Sequence, residues 1–284
     1  MATALSSSRK LRILALHGYT SNAFILQRRL GAIRKACKEY AEFIFVNGPI
    51  RVEPITDAAE SLDAPDRVSK ANDPTIPLEE QPRAWWRSSD EGVYLQFDET
   101  IEYLNKEIAQ HGPFDGVFGF SQGACFAALI ASAFEDPSRY PKFQLPKDQG
   151  PLKFCVAVSG FRSRDPNMQA LFPQSGIQTP ILHILGKADQ IVDEERAQTL
   201  VEAAANSRIE HHESGHVIPS QAPWRNFLKD FFASFVREGE STDAWRTVIG
   251  PNSRPKGEHS EPNSGTVTPR QDSERAGNTD KSSL

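Results

Sequence analysis

Residues 115–134 read DGVFGFSQGACFAALIASAF, and this stretch indicates the fold class. Asp115 to Gly119 is a short, mostly apolar run bounded by glycine, which is typical of a strand buried on both faces. Ala124 to Phe134 is long and apolar enough for a buried helix. A Gly-x-Ser-x-Gly turn at 119–123 joins the two, and its glycines let the backbone turn sharply. The stretch therefore predicts a strand, a tight turn and a helix.

Similar short apolar or β-branched runs recur on both sides of this stretch, with helical patterns between them. In Asp98 to Gln110 the apolar residues fall on one helix face, and in Asp193 to Ala205 the first residue is a candidate N-cap. Strands separated by single helices predict an α/β fold, with a mostly parallel sheet covered on both faces. The functional site is then expected at the C-terminal strand ends. The predicted strands are Leu11–Leu16, Phe43–Asn47, Asp115–Gly119, Lys153–Ser159, Ile181–Leu185 and Arg208–His212.

Two stretches lack this pattern. Residues 49–84 mix Pro, Asp and Ser without a sustained period, which predicts an irregular, lid-like insertion. Residues 241–284 are dominated by Ser, Pro, Gly, Asn and charged residues and are predicted to be a disordered tail. We therefore expect one domain over residues 1–240, followed by that tail.

The composition excludes several classes of protein. A formal charge of −5 and a pI near 5.9 give no basic face for nucleic acid. Three scattered cysteines are too few for a disulfide framework or a four-thiolate metal site, which favours a reducing compartment. No N-terminal signal or apolar run of about 20 residues is visible. We expect a cytoplasmic protein without a membrane span.

Ser121 is the candidate nucleophile, because the strand–turn–helix context projects its hydroxyl at the N-terminus of a helix. The helix dipole and free N–H groups there favour a developing negative charge. The alternative for Ser121 is an ordinary helix N-cap.

A serine nucleophile needs a base and a carboxylate that orients the base, in the chain order Ser, Asp or Glu, His on this fold. Asp189 follows the strand Ile181–Leu185, and His216 follows the strand that ends at His212. Asp193 is the rival acid, but capping of the next helix explains it better. Without the other two residues, His216 would be interpreted as a loop histidine.

Further motifs between about Arg9 and Val236 carry a resemblance to a known family. They are Leu16-His17-Gly18-Tyr19, Phe45-Val46-Asn47-Gly48-Pro49, Arg83-Ala84-Trp85-Trp86, Gly112 to Gly123, Val158-Ser159-Gly160-Phe161, the Asp189 loop and Gly215-His216. In this order they resemble the fungal-type serine hydrolases (FSH) of the α/β-hydrolase superfamily. The resemblance implies the α/β-hydrolase fold with Ser121 as nucleophile, His216 as base and Asp189 as acid. The family usually has Asp where this chain has Asn47, which leaves the triad intact.

An oxyanion hole requires two donors, and backbone N–H groups suit this role. We expect one from Gln122, directly after the nucleophile, and one from Tyr19, in the loop after the first strand. His17 is predicted to brace that loop. Trp85 and Trp86 are candidate walls of an acyl pocket, and the alternative for both is the core.

Two other features have structural explanations. His212 to His216 matches the zinc signature H-E-x-x-H, whose histidines converge only in a helix. Gly215 inside it and Pro219 after it are helix-breaking signals that argue against a metal site. Cys125, in the helix after the turn, is expected to be a buried thiol.

The sequence thus predicts a cofactor-free serine hydrolase that cleaves a small carboxylic ester or thioester, or releases a carrier-bound acyl chain. By resemblance, a fungal relative of this kind acts in secondary metabolism, for example on a polyketide-type product. The alternative is a non-catalytic binding or scaffold protein with the same fold.

Overall fold

A computed structural model describes residues 9–53, 77, 79–236 and 243–254. The strands are β1 (Leu11–Leu16), β2 (Ala41–Val46), β3 (Ile50–Arg51), β4 (Arg83–Ala84), β5 (Arg87–Ser88), β6 (Tyr94–Leu95), β7 (Gly116–Phe120), β8 (Phe154–Val158), β9 (Ile181–Gly186) and β10 (Ser207–His212). The α-helices are α1 (Ala23–Arg29), α2 (Gly31–Cys37), α3 (Phe97–His111), α4 (Gln122–Glu135), α5 (Glu194–Glu202), α6 (Ala222–Ala233) and α7 (Ala244–Thr247).

The central sheet has six parallel strands in the order β10-β9-β8-β7-β1-β2. These are the six predicted strands, with ends that differ by only a residue or two. Parallel strands need crossover connections, and here helices cover both faces of the sheet. The result is the mostly parallel α/β sheet that the sequence pattern predicts and the α/β-hydrolase fold that the family resemblance implies, with all C-terminal strand ends at one edge.

The core has two layers, one on each face of the sheet. α3, α4 and α5 pack on one face, and α1, α2 and α6 pack on the other. Strand residues alternate between the layers: in β1, Leu14 faces the first layer whereas Ile13 and Ala15 face the second. Helix α4 is buried from Gln122 to Phe134, as its apolar sequence predicts. In the part of the chain that the structure describes, no helix combines the length and apolarity needed to cross a bilayer.

The two ends of the predicted insertion at 49–84 are joined by a short ribbon. β3 and β4 pair antiparallel, with Ile50 opposite Ala84, and the Val52 N–H donates to the Pro82 carbonyl at 3.1 Å. Residues 54–76 and 78 lie outside the described residues, and the prediction that the insertion is irregular and lid-like falls mostly on them.

The segment 243–254 differs from the predicted disordered tail. It contains α7, and Trp245 is buried with 2 % exposure. Arg208 donates to the carbonyls of Trp245 and Val248, and Arg254 donates to Asp230 at 2.8 Å. A single buried tryptophan can hold a short polar segment against the domain, because it removes a large apolar surface from water. The average composition of the segment does not reveal such a contact. Residues 237–242 and 255–284 lie outside the described residues.

Candidate active site

Ser121 lies at the tight turn between β7 and α4. Its backbone has φ 56° and ψ −120°, a strained conformation that L-residues rarely adopt. A hydrogen bond of 2.9 Å from the Ser121 N–H to the Val158 carbonyl joins the turn to the end of β8. The Ser121 side chain makes no capping hydrogen bond to α4. An ordinary N-cap role therefore does not explain this serine.

Both glycines of the motif are required by close backbone packing. A Cβ on Gly119 would lie 2.1 Å from the Gly123 carbonyl oxygen, because the first turn of α4 folds back over the end of β7. A Cβ on Gly123 would lie 2.3 Å from the Leu16 carbonyl oxygen and 2.4 Å from that of His17. The two glycines therefore set the N-terminus of α4 against the end of β1.

Asp189 and His216, from the loops after β9 and β10, form a hydrogen-bonded pair. His216 Nδ1 lies 2.8 Å from Asp189 Oδ2. Since an ionised carboxylate only accepts, Nδ1 carries a proton, and in the neutral form of the ring Nε2 then has the lone pair. Asp189 Oδ1 accepts the N–H groups of Ile191 and Val192 at 3.0 and 2.9 Å. Burial raises the pKa of Asp189, but the hydrogen bonds from His216 and Val192 outweigh it, so the pKa lies below its usual value.

The pair and Ser121 share the C-terminal edge of the sheet. The His216 ring packs against Phe120, next to the serine, with 4.8 Å between ring centroids. The Ser121 hydroxyl has no hydrogen-bond partner of normal geometry among the described residues. Hydrogen bonds between a nucleophile and its base often tighten only when a substrate is bound. Asp193, the rival acid, caps α5 by accepting the Arg196 N–H at 2.8 Å.

The loop after β1 contacts the serine turn. A Cβ on Gly18 would lie 3.3 Å from the Ser121 Cβ. His17 braces this loop, because its Nε2 accepts the Gly48 N–H and its Nδ1 donates to the Gly18 carbonyl, both at 2.8 Å. Burial lowers the pKa of His17 to about 4, so the ring is neutral near pH 7. Tyr19, the predicted oxyanion donor, directly follows this contact.

Gln122 has a further role that sequence reasoning missed. Its Oε1 accepts the Trp85 N–H at 2.9 Å, and its Nε2 donates to the Trp86 carbonyl at 2.9 Å. The Trp85 indole N–H donates to the His17 carbonyl at 2.8 Å. These bonds tie the segment after β4 to both loops that flank Ser121. The sequence gives one indication of this role: Gln122 is a polar residue at the start of an otherwise apolar helix.

Trp85 and Trp86 lie in the core rather than in the predicted pocket wall. Trp85 is 0 % and Trp86 is 2 % exposed. Trp85 packs on Phe126 of α4 at 5.1 Å between ring centroids, and Trp86 stacks on Tyr94 of β6 at 4.3 Å. Side chains with almost no accessible surface cannot contact a substrate directly. The residues that bury these tryptophans belong to other elements of the fold, so the local sequence around Trp85 and Trp86 does not predict the burial.

The H-E-x-x-H segment is strand and loop, as its glycine and proline signals predict. His212 is the last residue of β10, and His216 lies in the irregular segment that follows. The two histidines therefore do not share a helix face. His212 is buried and packs edge-on against Trp224 at 5.9 Å between ring centroids. Cys125 of α4 is fully buried, as expected.

A parallel sheet covered by helices, a strained serine turn after β7 and an Asp–His pair from the loops after β9 and β10 are typical of α/β-hydrolases. Comparison with known proteins agrees with this class. The chain belongs to the serine hydrolase (FSH1) family, whose model matches residues 6–228. By family, it is a hydrolase.

Individual relatives cover most of the chain. Esterase OVCA2 of Bos taurus is 32% identical over 236 residues, which are 80% of this chain and 97% of the relative. A Schizosaccharomyces pombe protein named dihydrofolate reductase is 31% identical over 230 residues, which are 80% of this chain but only 48% of that protein. The chain thus spans about half of the yeast relative. The crystal structure of Arabidopsis thaliana SOBER1 shares the fold, with a TM-score of 0.53 at 18% identity, covering 81% of this chain and 100% of that chain.

Proposed function

We propose that this chain hydrolyses a carboxylic ester or thioester, with Ser121 as nucleophile, His216 as general base and Asp189 as orienting acid. The observation that carries the proposal is the Asp189–His216 pair at 2.8 Å, at the sheet edge where the strained turn presents Ser121. In this pair the imidazole is held in the tautomer whose Nε2 accepts a proton.

In the first half-reaction, Ser121 Oγ bonds to the acyl carbon while its proton passes to His216 Nε2. The carbonyl oxygen becomes an oxyanion, for which we assign the backbone N–H groups of Tyr19 and Gln122 as donors. Collapse of the tetrahedral intermediate breaks the bond to the leaving alcohol or thiol, which takes the proton from His216. Asp189 stays ionised and stabilises the imidazolium.

In the second half-reaction, water attacks the acyl-serine while His216 accepts one of its protons. The carbonyl re-forms as the bond to Ser121 Oγ breaks, and His216 returns the proton to the serine. The products are the carboxylic acid and the free enzyme. No cofactor enters any of these steps.

The substrate is proposed to carry an apolar acyl chain, free or attached to a carrier. Ile191 and Val217 lie beside Asp189 and His216 in sequence, and they are 38% and 46% exposed. Exposed apolar side chains next to proposed catalytic residues suit an apolar ligand. A polyketide-type acyl chain of fungal secondary metabolism, as the family resemblance implies, is one substrate of this class.

A fluorophosphonate probe tests the proposed chemistry, because it phosphonylates only an activated serine. The wild-type protein is expected to be labelled, and Ser121→Ala is expected to lose labelling at unchanged melting temperature. Intact-mass and peptide mapping locate the adduct. Equal labelling of a folded Ser121→Ala variant would show that another residue is the nucleophile, and an unlabelled wild type would favour a binding protein.

A further inference from the structure

Ser159, at the end of β8, is a second strained serine beside the proposed triad. Its φ is 50°, and the residue is 1% exposed. Its hydroxyl oxygen is buried without a hydrogen-bond partner of normal geometry among the described residues. A left-handed serine and an unsatisfied buried hydroxyl are both unfavourable, so their combination requires an explanation.

The peptide bond that precedes Ser159 connects the strands of the nucleophile and the acid. Its carbonyl, from Val158, accepts the Ser121 N–H at 2.9 Å, and its N–H, from Ser159, donates to Ile184 of β9 at 2.9 Å. A Cβ at position 160 would lie 2.9 Å from the end of the Leu200 side chain, which would have to shift. The chain bends at Ser159, and β8 lies between β7, which leads to Ser121, and β9, which leads to Asp189.

The Asp189 carboxylate has one acceptor position left for this hydroxyl. Two backbone N–H groups occupy Oδ1, and His216 occupies one side of Oδ2. A carboxylate has about four lone-pair positions, so one on Oδ2 stays open. Ser159 directly follows β8, which pairs with β9, and Asp189 lies in the loop after β9. In agreement with this placement, Ser159 is one of the groups that lower the pKa of Asp189, though less than His216 and Val192 do. His212 is the other titratable group whose charge interacts with Asp189.

We propose that Ser159 is a positioning residue that donates a hydrogen bond to Asp189 and thereby fixes the carboxylate that orients His216. A serine hydroxyl has one proton to donate, and the open lone-pair position on Asp189 Oδ2 can accept it. This inference rests on the proposed function, because it assigns Ser159 a role in the same triad.

The test compares Ser159→Ala with Ser159→Gly. Both remove the hydroxyl, but glycine also relieves the left-handed strain, so it controls for a purely backbone role. We expect kcat for an activated ester to fall on the order of 10-fold in both variants, with KM unchanged. The proton between His216 and Asp189 should also shift downfield in the ¹H NMR spectrum, because a carboxylate that loses a donor is a stronger acceptor.

Both readouts are required. An unmoved resonance, or a wild-type kcat in the glycine variant, would overturn the proposal. If the alanine variant fails to fold, the glycine variant alone decides. If the wild-type protein hydrolyses no ester, the proposed function fails, whereas the resonance still reports whether Ser159 donates to Asp189.

Discussion

Ser121 and Ser159 directly follow two neighbouring strands, and both have a positive φ. Their φ values are 56° and 50°, each is 1% exposed, and neither hydroxyl has a partner of normal geometry among the described residues. The regions that follow them differ, because Ser121 begins α4 whereas Ser159 leads into an irregular loop. Under the proposed function only Ser121 is the nucleophile, so strain and burial alone do not define that role. A helix N-terminus and an oxyanion loop beside the hydroxyl are also needed.

The largest expected effect separates the two serines directly. Ser121→Ala should lower kcat by on the order of 10⁴-fold or more, and His216→Ala by nearly as much, since triad members act as a unit. Ser159→Ala should cost far less, because it acts through Asp189. Single-turnover hydrolysis of a p-nitrophenyl ester measures all three variants. Similar falls in kcat for Ser121→Ala and Ser159→Ala would contradict the different roles proposed for the two serines.

Asp189→Asn is expected to have the next largest effect, on the order of 10³- to 10⁴-fold in kcat, because the amide favours the wrong imidazole tautomer. Asp193→Asn is the matched control: asparagine also caps helices, so activity and stability should stay near wild type. Steady-state kinetics and thermal unfolding measure both variants. A more damaging Asp193→Asn would mean that the acid has been misassigned.

Gly123 and Gly160 lie shortly after the two serines, and the stabilities of their alanine variants extend the comparison. An added Cβ at Gly123 meets the Leu16 and His17 carbonyl oxygens at 2.3 and 2.4 Å, and this backbone cannot rotate away. An added Cβ at Gly160 would lie 2.9 Å from a methyl carbon at the end of the flexible Leu200 side chain. We expect Gly123→Ala to cost more than about 3 kcal/mol of unfolding free energy and Gly160→Ala about 1–2 kcal/mol. Urea unfolding monitored by tryptophan fluorescence measures both, and the reverse order would contradict the packing argument.

The smallest expected effect concerns Ile191 and Val217, the exposed apolar residues close to Asp189 and His216 in the chain. Ile191→Ser and Val217→Ser should each lower kcat/KM for an octanoyl ester by roughly 3- to 10-fold and leave an acetyl ester unchanged. The wild type should accordingly prefer medium chains. A chain-length series measures this, with Val217→Ile as an apolar control. A flat wild-type profile would indicate a small or polar acyl group.

Much of this molecule was readable from local sequence. The six core strands and the serine turn follow from periodicity and glycine spacing, which depend on nearby residues. The rule that the acid precedes the histidine on this fold makes Asp189 and His216 candidates for the same site as Ser121. The capping role of Asp193 was also predictable, because a cap bonds to the helix that it begins. The sequence therefore determined which elements form and which residues are candidates for the site.

Only the tertiary structure decided what surrounds those residues. Trp85 and Trp86 are core rather than pocket because α4 and β6 bury them, and Trp245 docks a segment that composition assigns to a tail. Ser159 lies near the proposed triad because β8 lies between β7 and β9 in the sheet. Such contacts join residues far apart in the chain, and packing of whole elements fixes them rather than any local pattern.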